Sequence, residues 1–296
     1  GQLVTSASSG HPGTLQITTY NSAADFLSRA RSVLEAHEAE NNLMLGMALR
    51  LCSSTDWLTA PPYFATVQSA DGIQVSAMRT PPHNLILQGE PSHEALALIA
   101  RDLGERDEAV PGVLGPVLLS EQFSGVWQER NSVSAELTMR TRVYELKQID
   151  YTPSAAGRLR EGTEDDLSTV AEWTEQFQHE ALTGGDREQI LKATRSRLKA
   201  RQLVLWEDDR PVSMAAATRK TTTGVSLNLV YTPPRLRNRG YGTACVAALS
   251  RRLLKSGHAF VALFADRENA TANSLYVRIG YSPVCDFHEY RFGPAK

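Results

Sequence analysis

Apolar positions recur at helical spacing over residues 22–50, through Phe26, Leu27, Ala30, Val33 and Leu34, then Leu43, Leu45, Met47 and Leu49. Pro61 and Pro62 interrupt that pattern. Short apolar runs follow at Phe64–Gln68, Ile73–Met78 and Leu85–Leu87, separated by Asp71-Gly72 and Pro81-Pro82, and these predict three strands. Helical periodicity returns over 92–103 and 117–129, and residues 133–147 read as one or two strands. Beyond Thr152-Pro153-Ser154 the cycle repeats. A strand at Leu159–Glu161 precedes helices over 164–178 and 186–200. Strands follow at Gln202–Trp206, Val212–Arg219 and Val225–Tyr231, then a helix over 240–255 that stops before Gly257. Strand Phe260–Phe264, helix 269–279 and a last strand over 284–292 close the chain.

The predicted class is α/β of the mixed α+β kind, a central mixed sheet flanked by helices. The two halves share one order of elements, with Phe64–Leu87 matching Leu203–Tyr231 and Ser124–Asn131 parallel to Asn273–Gly280. Side-chain identity between the halves is low, so the repetition is one of pattern. The expected division is a flexible or partly vector-derived tail over 1–14, a first domain over 15–152 and a second over 153–296.

Charge separates the halves. Residues 1–150 hold 10 Lys/Arg and 17 Asp/Glu, whereas 151–296 hold 21 and 16, so the overall -2 averages unlike parts. Neither half has the strong basic excess expected of a nucleic-acid-binding domain. Cys52, Cys245 and Cys285 are scattered, with no disulfide framework or metal-ligand spacing, which fits a reducing compartment. The seven histidines form no ligand set, so no metal site is expected. No leader-like segment and no run of 18 apolar residues occurs. The expectation is a cytoplasmic protein that neither spans a membrane nor binds nucleic acid.

Between Asp209 and Asp266 lie 56 residues without an acid, carrying Arg210, Arg219, Lys220, Arg235, Arg237, Arg239, Arg251, Arg252 and Lys255. Such a bias around one strand–loop–helix unit points to a polyanionic ligand or to a solvated basic face. The loop reads Tyr231-Thr232-Pro233-Pro234-Arg235-Leu236-Arg237-Asn238-Arg239-Gly240-Tyr241-Gly242-Thr243. The prolines end the strand. The glycines permit tight turning and close backbone approach. The following helix start offers unpaired amides to an anion. The third glycine of a dinucleotide fingerprint and the Gly-Lys-Ser/Thr of a Walker loop are both missing.

Arg237-Asn238-Arg239-Gly240-Tyr241-Gly242 resembles the acyl-CoA signature of the GCN5-related N-acetyltransferases (GNAT), Arg/Gln-x-x-Gly-x-Gly/Ala. The run from Asn269 to Tyr281 resembles the family's last motif, Asn-x-x-Ala-x-x-Leu-Tyr-x-x-x-Gly-Phe/Tyr. The resemblance covers about 155–296, and the first half resembles a degenerate copy, as in tandem members.

What the resemblance implies is an acyl-CoA-dependent N-acyltransferase, with acetyl-CoA or another short acyl-CoA as donor and a small-molecule or peptide amine as acceptor. The cofactor would enter between splayed strands 225–231 and 260–264. Backbone groups of Val230 and Thr232 would hold the pantetheine, and amides from Arg237 to Thr243, including Asn238, Arg239, Gly240, Tyr241 and Gly242, would cradle the pyrophosphate. One or more of Arg235, Arg237, Arg239, Arg251 and Arg252 would meet the outer phosphates. Asn269 and Asn273 would bond the pantetheine. Tyr276 would protonate the leaving thiolate, and an N–H near Val230 would stabilise the developing oxyanion. Glu180 is the candidate base, with Glu175, His179 or a water chain as alternatives. Tyr231 and Tyr241 line the groove or pack against it, and Asp266 orients the Asn269 region or caps its helix.

The first half fails the same test. Glu90 and Glu94 stand where phosphate-binding amides would work, and Trp127 falls near the place of Tyr276. Cys245, among small apolar neighbours, reads as a buried packing residue. A non-catalytic acyl-CoA-binding or regulatory module is the alternative function, and nothing in the pattern decides between monomer and homodimer.

Overall fold

The computed structural model describes residues 13–181 and 184–295. The described residues fall into two compact units: those up to 143 with 266–268 and those from 284 onward, and those of 144–265 with 269–283. The tail reading over 1–14 falls almost wholly outside the described residues, as do 182–183.

The chain order is β1 (Gln16–Tyr20), α1 (Ala23–Glu35), α2 (Asn42–Ser53), β2 (Tyr63–Ser69), β3 (Gly72–Arg79), β4 (Leu85–Gly89), α3 (His93–Glu105), β5 (Gly112–Pro116), α4 (Val117–Asn131) and β6 (Val133–Leu146). It then repeats as β7 (Arg158–Glu161), α5 (Leu167–Glu180), α6 (Arg187–Lys199), β8 (Leu203–Asp208), β9 (Arg210–Lys220), β10 (Gly224–Tyr231), α7 (Tyr241–Lys255), β11 (Phe260–Asp266), α8 (Ala270–Ile279) and β12 (Ser282–Pro294). Strand β1 is an addition to the sequence reading, residues 22–50 resolve into two helices, and 133–147 form one strand. Among the described residues no helix is long and apolar enough to cross a membrane.

In the first unit strands run β1-β2-β3-β4-β5-β12-β6, with β4 and β5 parallel and β5 and β12 antiparallel. The C-terminal strand thus builds the first unit: Phe287 pairs with Pro116 and Arg291 with Gly112. Strand β6 begins in the first unit and passes into the second at Tyr144. In the second unit the order is β11-β10-β9-β8-β7, antiparallel except for β10 with β11.

Alternation along β8 shows why the sheet is covered on both faces. Leu203 and Leu205 join the cluster containing Val170 and Trp173 of α5 and Leu198 of α6. Val204 and Trp206 join the opposite cluster, built on Ala244 to Leu249 of α7 and Tyr276 and Ile279 of α8. In the first unit Phe64 packs with α1 and α2, while Tyr63, Ala65 and Val67 pack with α3 and α4.

Local signals set the helix ends. The Ser22 and Ser92 hydroxyls accept from Asp25 and Ala95 amides. Thr163 and Asp166 form a reciprocal capping box before α5, and Asp166 is held by Arg160 at 2.8 Å. Gly257, at φ +110, follows the end of α7, where a left-handed residue closes the helix.

Candidate functional site

Strands β10 and β11 are paired in parallel only at Gly224–Phe260, Val225–Val261 and Ser226–Ala262. β10 continues to Tyr231 and β11 to Asp266, so the β11-facing edge of β10 beyond Ser226 has no ladder partner in this register. On the other edge, register with β9 slips between Asn228 and Tyr231. Leu229 sits in that bulge at φ +53, and the Asn228 side chain accepts from its amide at 2.7 Å. A leucine in the left-handed region is strained by about 1–2 kcal/mol. The bulge re-aims the backbone beside Val230, which packs against the core cluster that also holds Tyr276.

Nine residues connect Tyr231 to α7. Pro234–Leu236 form a short 3-10 turn, closed by the Arg237 amide donating to Pro234 O at 3.3 Å. The Arg237 amide is therefore used within the turn. Asn238 and Gly240 take φ +64 and +78. Gly240 is the cap residue of α7 and contributes no side-chain cap. The first bond of the helix runs from Ala244 N to Gly240 O. The amides of Tyr241, Gly242 and Thr243 consequently have no intrahelical acceptor. A Cβ on Gly242 would lie 3.1 Å from Thr232 Oγ1 and 3.6 Å from Leu275 Cδ1, so its bareness lets α7 approach both the strand exit and α8.

The basic side chains divide. Arg235 and Arg239 are exposed on the loop. Arg251 donates to Tyr151 O and Arg252 to Glu161. Both stand about 15 Å along the helix from its start. Tyr241 is held by Asp208 at 2.6 Å, and that bond raises its phenol pKa.

Tyr276 is buried in α8, its ring 5.9 Å from those of Tyr144 and Tyr281. Burial, with a smaller contribution from Tyr144, pushes its pKa up to about 12. Among the described residues its hydroxyl has no hydrogen-bond partner. Asn269 caps α8, accepting from Ala272 N at 3.0 Å. Asn273 is more fully engaged: its amide donates to Asn269 O at 2.8 Å, and its oxygen accepts from Tyr144 at 2.6 Å. Asp266 accepts from Glu268 N, so it shapes the turn while Asn269 caps the helix.

Glu180 ends α5, and both of its oxygens are 3.0 Å from Arg237 Nη2. Arg237 Nε also donates to Thr232 O at 2.8 Å, and its guanidinium lies 5.5 Å from the centre of the Tyr231 ring. The Tyr231 hydroxyl donates to Gln176 at 3.0 Å and lies 3.5 Å from Glu180. Burial first, then the Glu180 charge, raises its pKa. Thr232 Oγ1 is 2.9 Å from Ser213 Oγ. Trp173 and Phe177 pack near Tyr231, with ring centres 6.5 and 6.4 Å away. Cys245 is fully buried, and burial pushes its thiol up to about 12.

Sequence reasoning missed Tyr144, Gln176 and Ser213. Tyr144 lies in a strand of the first half, far from any motif. The other two are small or common polar residues whose role depends on the strand exit beside them.

The corresponding place in the first unit is built differently. Three residues, Glu90 to Ser92, join β4 to α3, and Ser92 caps the helix with its own hydroxyl. Trp127 is buried and stacked with Phe123 and Phe292.

A family model described as "FR47-like protein" matches residues 206–292. No curated protein matches the chain. Among solved structures, a GNAT-family acetyltransferase from Colwellia psychrerythraea is 11% identical, with TM-score 0.60, covering 94% of this chain and 100% of its own. A GCN5-related N-acetyltransferase from Sphaerobacter thermophilus is 17% identical, with TM-score 0.62 and coverage of 95% and 96%. A tandem GNAT protein from the clavulanic acid biosynthesis pathway is 12% identical, with TM-score 0.56 and coverage of 96% and 99%. At these identities the likeness is one of fold, and the chain has the fold of the GCN5-related N-acetyltransferases.

Proposed function

We propose that the protein is an acyl-CoA-dependent N-acyltransferase that moves an acetyl group to a primary amine. The observation that carries this reading is the end of the β10–β11 ladder at Ser226, on the strand that leads into the uncapped start of α7. An extended ligand arm with a phosphate at one end matches both halves of that arrangement: unpaired strand edge for the arm, free amides for the anion. The acid-free stretch from 210 to 265 keeps carboxylates of those residues away from the phosphate.

Acetyl-CoA, when bound, supplies an activated thioester. Tyr241, Gly242 and Thr243 amides hold its pyrophosphate, with Arg235 and Arg239 on the outer oxygens, and Val230 backbone groups align the pantetheine. An N–H near Val230 donates to the reacting carbonyl oxygen. Tyr276, protonated at neutral pH and without a hydrogen-bond partner among the described residues, gives a hydrogen bond or proton to the departing sulfur. Glu180 accepts the acceptor's proton. The first copy, about 15–152, keeps the fold and has lost the phosphate loop. The repeated element order and the short capped connection of Glu90 to Ser92 support this, as does the likeness to a tandem protein. Cytoplasmic residence accords with three free cysteines.

One observation favours the second reading, a non-catalytic acyl-CoA-binding module: both Glu180 oxygens are occupied by Arg237. A panel of amines with acetyl-CoA, read by free-thiol release, separates the two. Acceptor-dependent thiol release supports transfer. Calorimetric CoA binding with no release for any amine supports the module, and absence of CoA binding ends both readings.

A further inference from the structure

The loop between β10 and α7 carries three guanidinium groups, and only Arg237 is ion-paired among the described residues. Its partner is the carboxylate proposed as base. Both carboxylate oxygens meet the one nitrogen Nη2, while Nε bonds Thr232 O and the guanidinium rests over the Tyr231 ring. A carboxylate whose two oxygens face a guanidinium has that side closed to an ammonium. A guanidinium spent on a carboxylate is equally withheld from phosphate. An ammonium at Glu180 and a phosphate at Arg237 would each compete with this pair.

We propose that Arg237 is a positioning residue that changes partner. It holds Glu180 before the acyl donor arrives, moves to phosphate oxygens when the donor binds, and thereby opens Glu180 to the acceptor. This rests on the acyl-CoA reading of the site. The planar guanidinium fork suits a carboxylate and a phosphate alike. The pair is open to water, with side-chain exposures of 39% for Arg237 and 45% for Glu180. Exposed pairs of this kind shift an equilibrium by at most about five-fold, so the contact is reversible rather than a permanent brace. Tyr231 remains beside the carboxylate when Arg237 leaves, because its hydroxyl is also held by Gln176 on the same helix. The vacated place offers a carboxylate and an aromatic face, which together suit a cation. Arg237 thus occupies in advance the position of a cationic acceptor amine.

Calorimetry of CoA and of acetyl-pantetheine, which lacks phosphate, tests this on the full chain. Glu180→Gln frees Arg237 and is expected to tighten CoA binding about two- to five-fold while leaving acetyl-pantetheine unchanged. In an Arg237→Gln background the same substitution is expected to change nothing. Glu175→Gln, on the same helix and paired with Arg187, reports the general loss of negative charge and is expected to leave CoA binding as it was. Glu180→Ala gives the same reading where the glutamine variant folds poorly. The proposal is overturned if Glu180→Gln binds CoA no more tightly than the wild type. It is equally overturned if the gain survives in Arg237→Gln, or if Glu175→Gln matches it. Failure of the wild type to bind CoA instead overturns the underlying acyl-CoA reading.

Discussion

The Tyr144 hydroxyl donates to Asn273 Oδ1 at 2.6 Å, joining the end of β6 to the helix that carries Tyr276. Tyr144 is buried at 2% exposure, and its ring also flanks that of Tyr276. Replacing Tyr144 by Phe keeps the ring and deletes the bond. The expected outcome is a loss of about 1 kcal/mol in urea denaturation. Turnover should fall along with it, because α8 is no longer tied at Asn273.

Tyr276→Phe removes the proposed proton donor without changing shape. Turnover should drop about a hundredfold while calorimetric CoA affinity stays near that of the wild type. Since burial pushes this phenol from 10.0 up to about 12, it remains protonated throughout the neutral range. The pH–rate profile of the wild type should then show no alkaline limb from Tyr276 near pH 10. Full activity of Tyr276→Phe across the profile would remove it from the mechanism.

Cys245 makes a prediction about alkaline stability. Its thiol rises from 9.0 to about 12 in the folded protein because burial disfavours the thiolate. The folded value lies above the unfolded one, so the contribution is complete below about pH 9 and declines as pH climbs toward 12. The decline has a slope of about 1.4 kcal/mol per pH unit while the two states differ by one proton. Urea midpoints of Cys245→Ala should therefore fall less steeply than wild-type midpoints between pH 9 and 10. Equal slopes would show that the thiol ionises as easily folded as unfolded.

The two loop glycines are expected to respond differently. Gly240→Ala meets only Ala155 Cβ at 3.6 Å, an ordinary contact, so its cost is the left-handed backbone at φ +78, about 1–2 kcal/mol. Gly242→Ala places a methyl 3.1 Å from Thr232 Oγ1 and presses on the Thr232–Ser213 contact. Melting temperature should report the first, and weakened CoA binding the second.

A fragment beginning at residue 153 leaves behind Tyr144 and Leu146, both members of the core under α7 and α8. It should show a broad, weakly cooperative melt by circular dichroism, whereas the full chain melts sharply. A sharp transition in the fragment would mean that these two side chains are dispensable to that core.

Much of the loop chemistry was legible in the sequence because backbone constraints are local. Pro233 and Pro234 end a strand, Gly240 and Gly242 permit a tight turn, and a helix starts with free amides. The same holds for Cys245, whose small apolar neighbours announce burial. Long-range relations were not legible. Glu180 and Arg237 are 57 residues apart, and no periodicity relates them. Strand β1 escaped notice because Gln16, Thr18 and Thr19 blur its alternation. The partner of the last strand was hidden for a deeper reason: alternation says which face is apolar and leaves open which edge a strand will join.

That last pairing carries a cost in time. Phe287 meets Pro116, so β5 waits for a strand made about 170 residues after it. At roughly 5–20 residues per second, the wait on the ribosome is about 10–35 s. Throughout it, β5 presents a bare backbone edge, the kind of template that recruits foreign strands. The first unit, though encoded first, is the last to be finished.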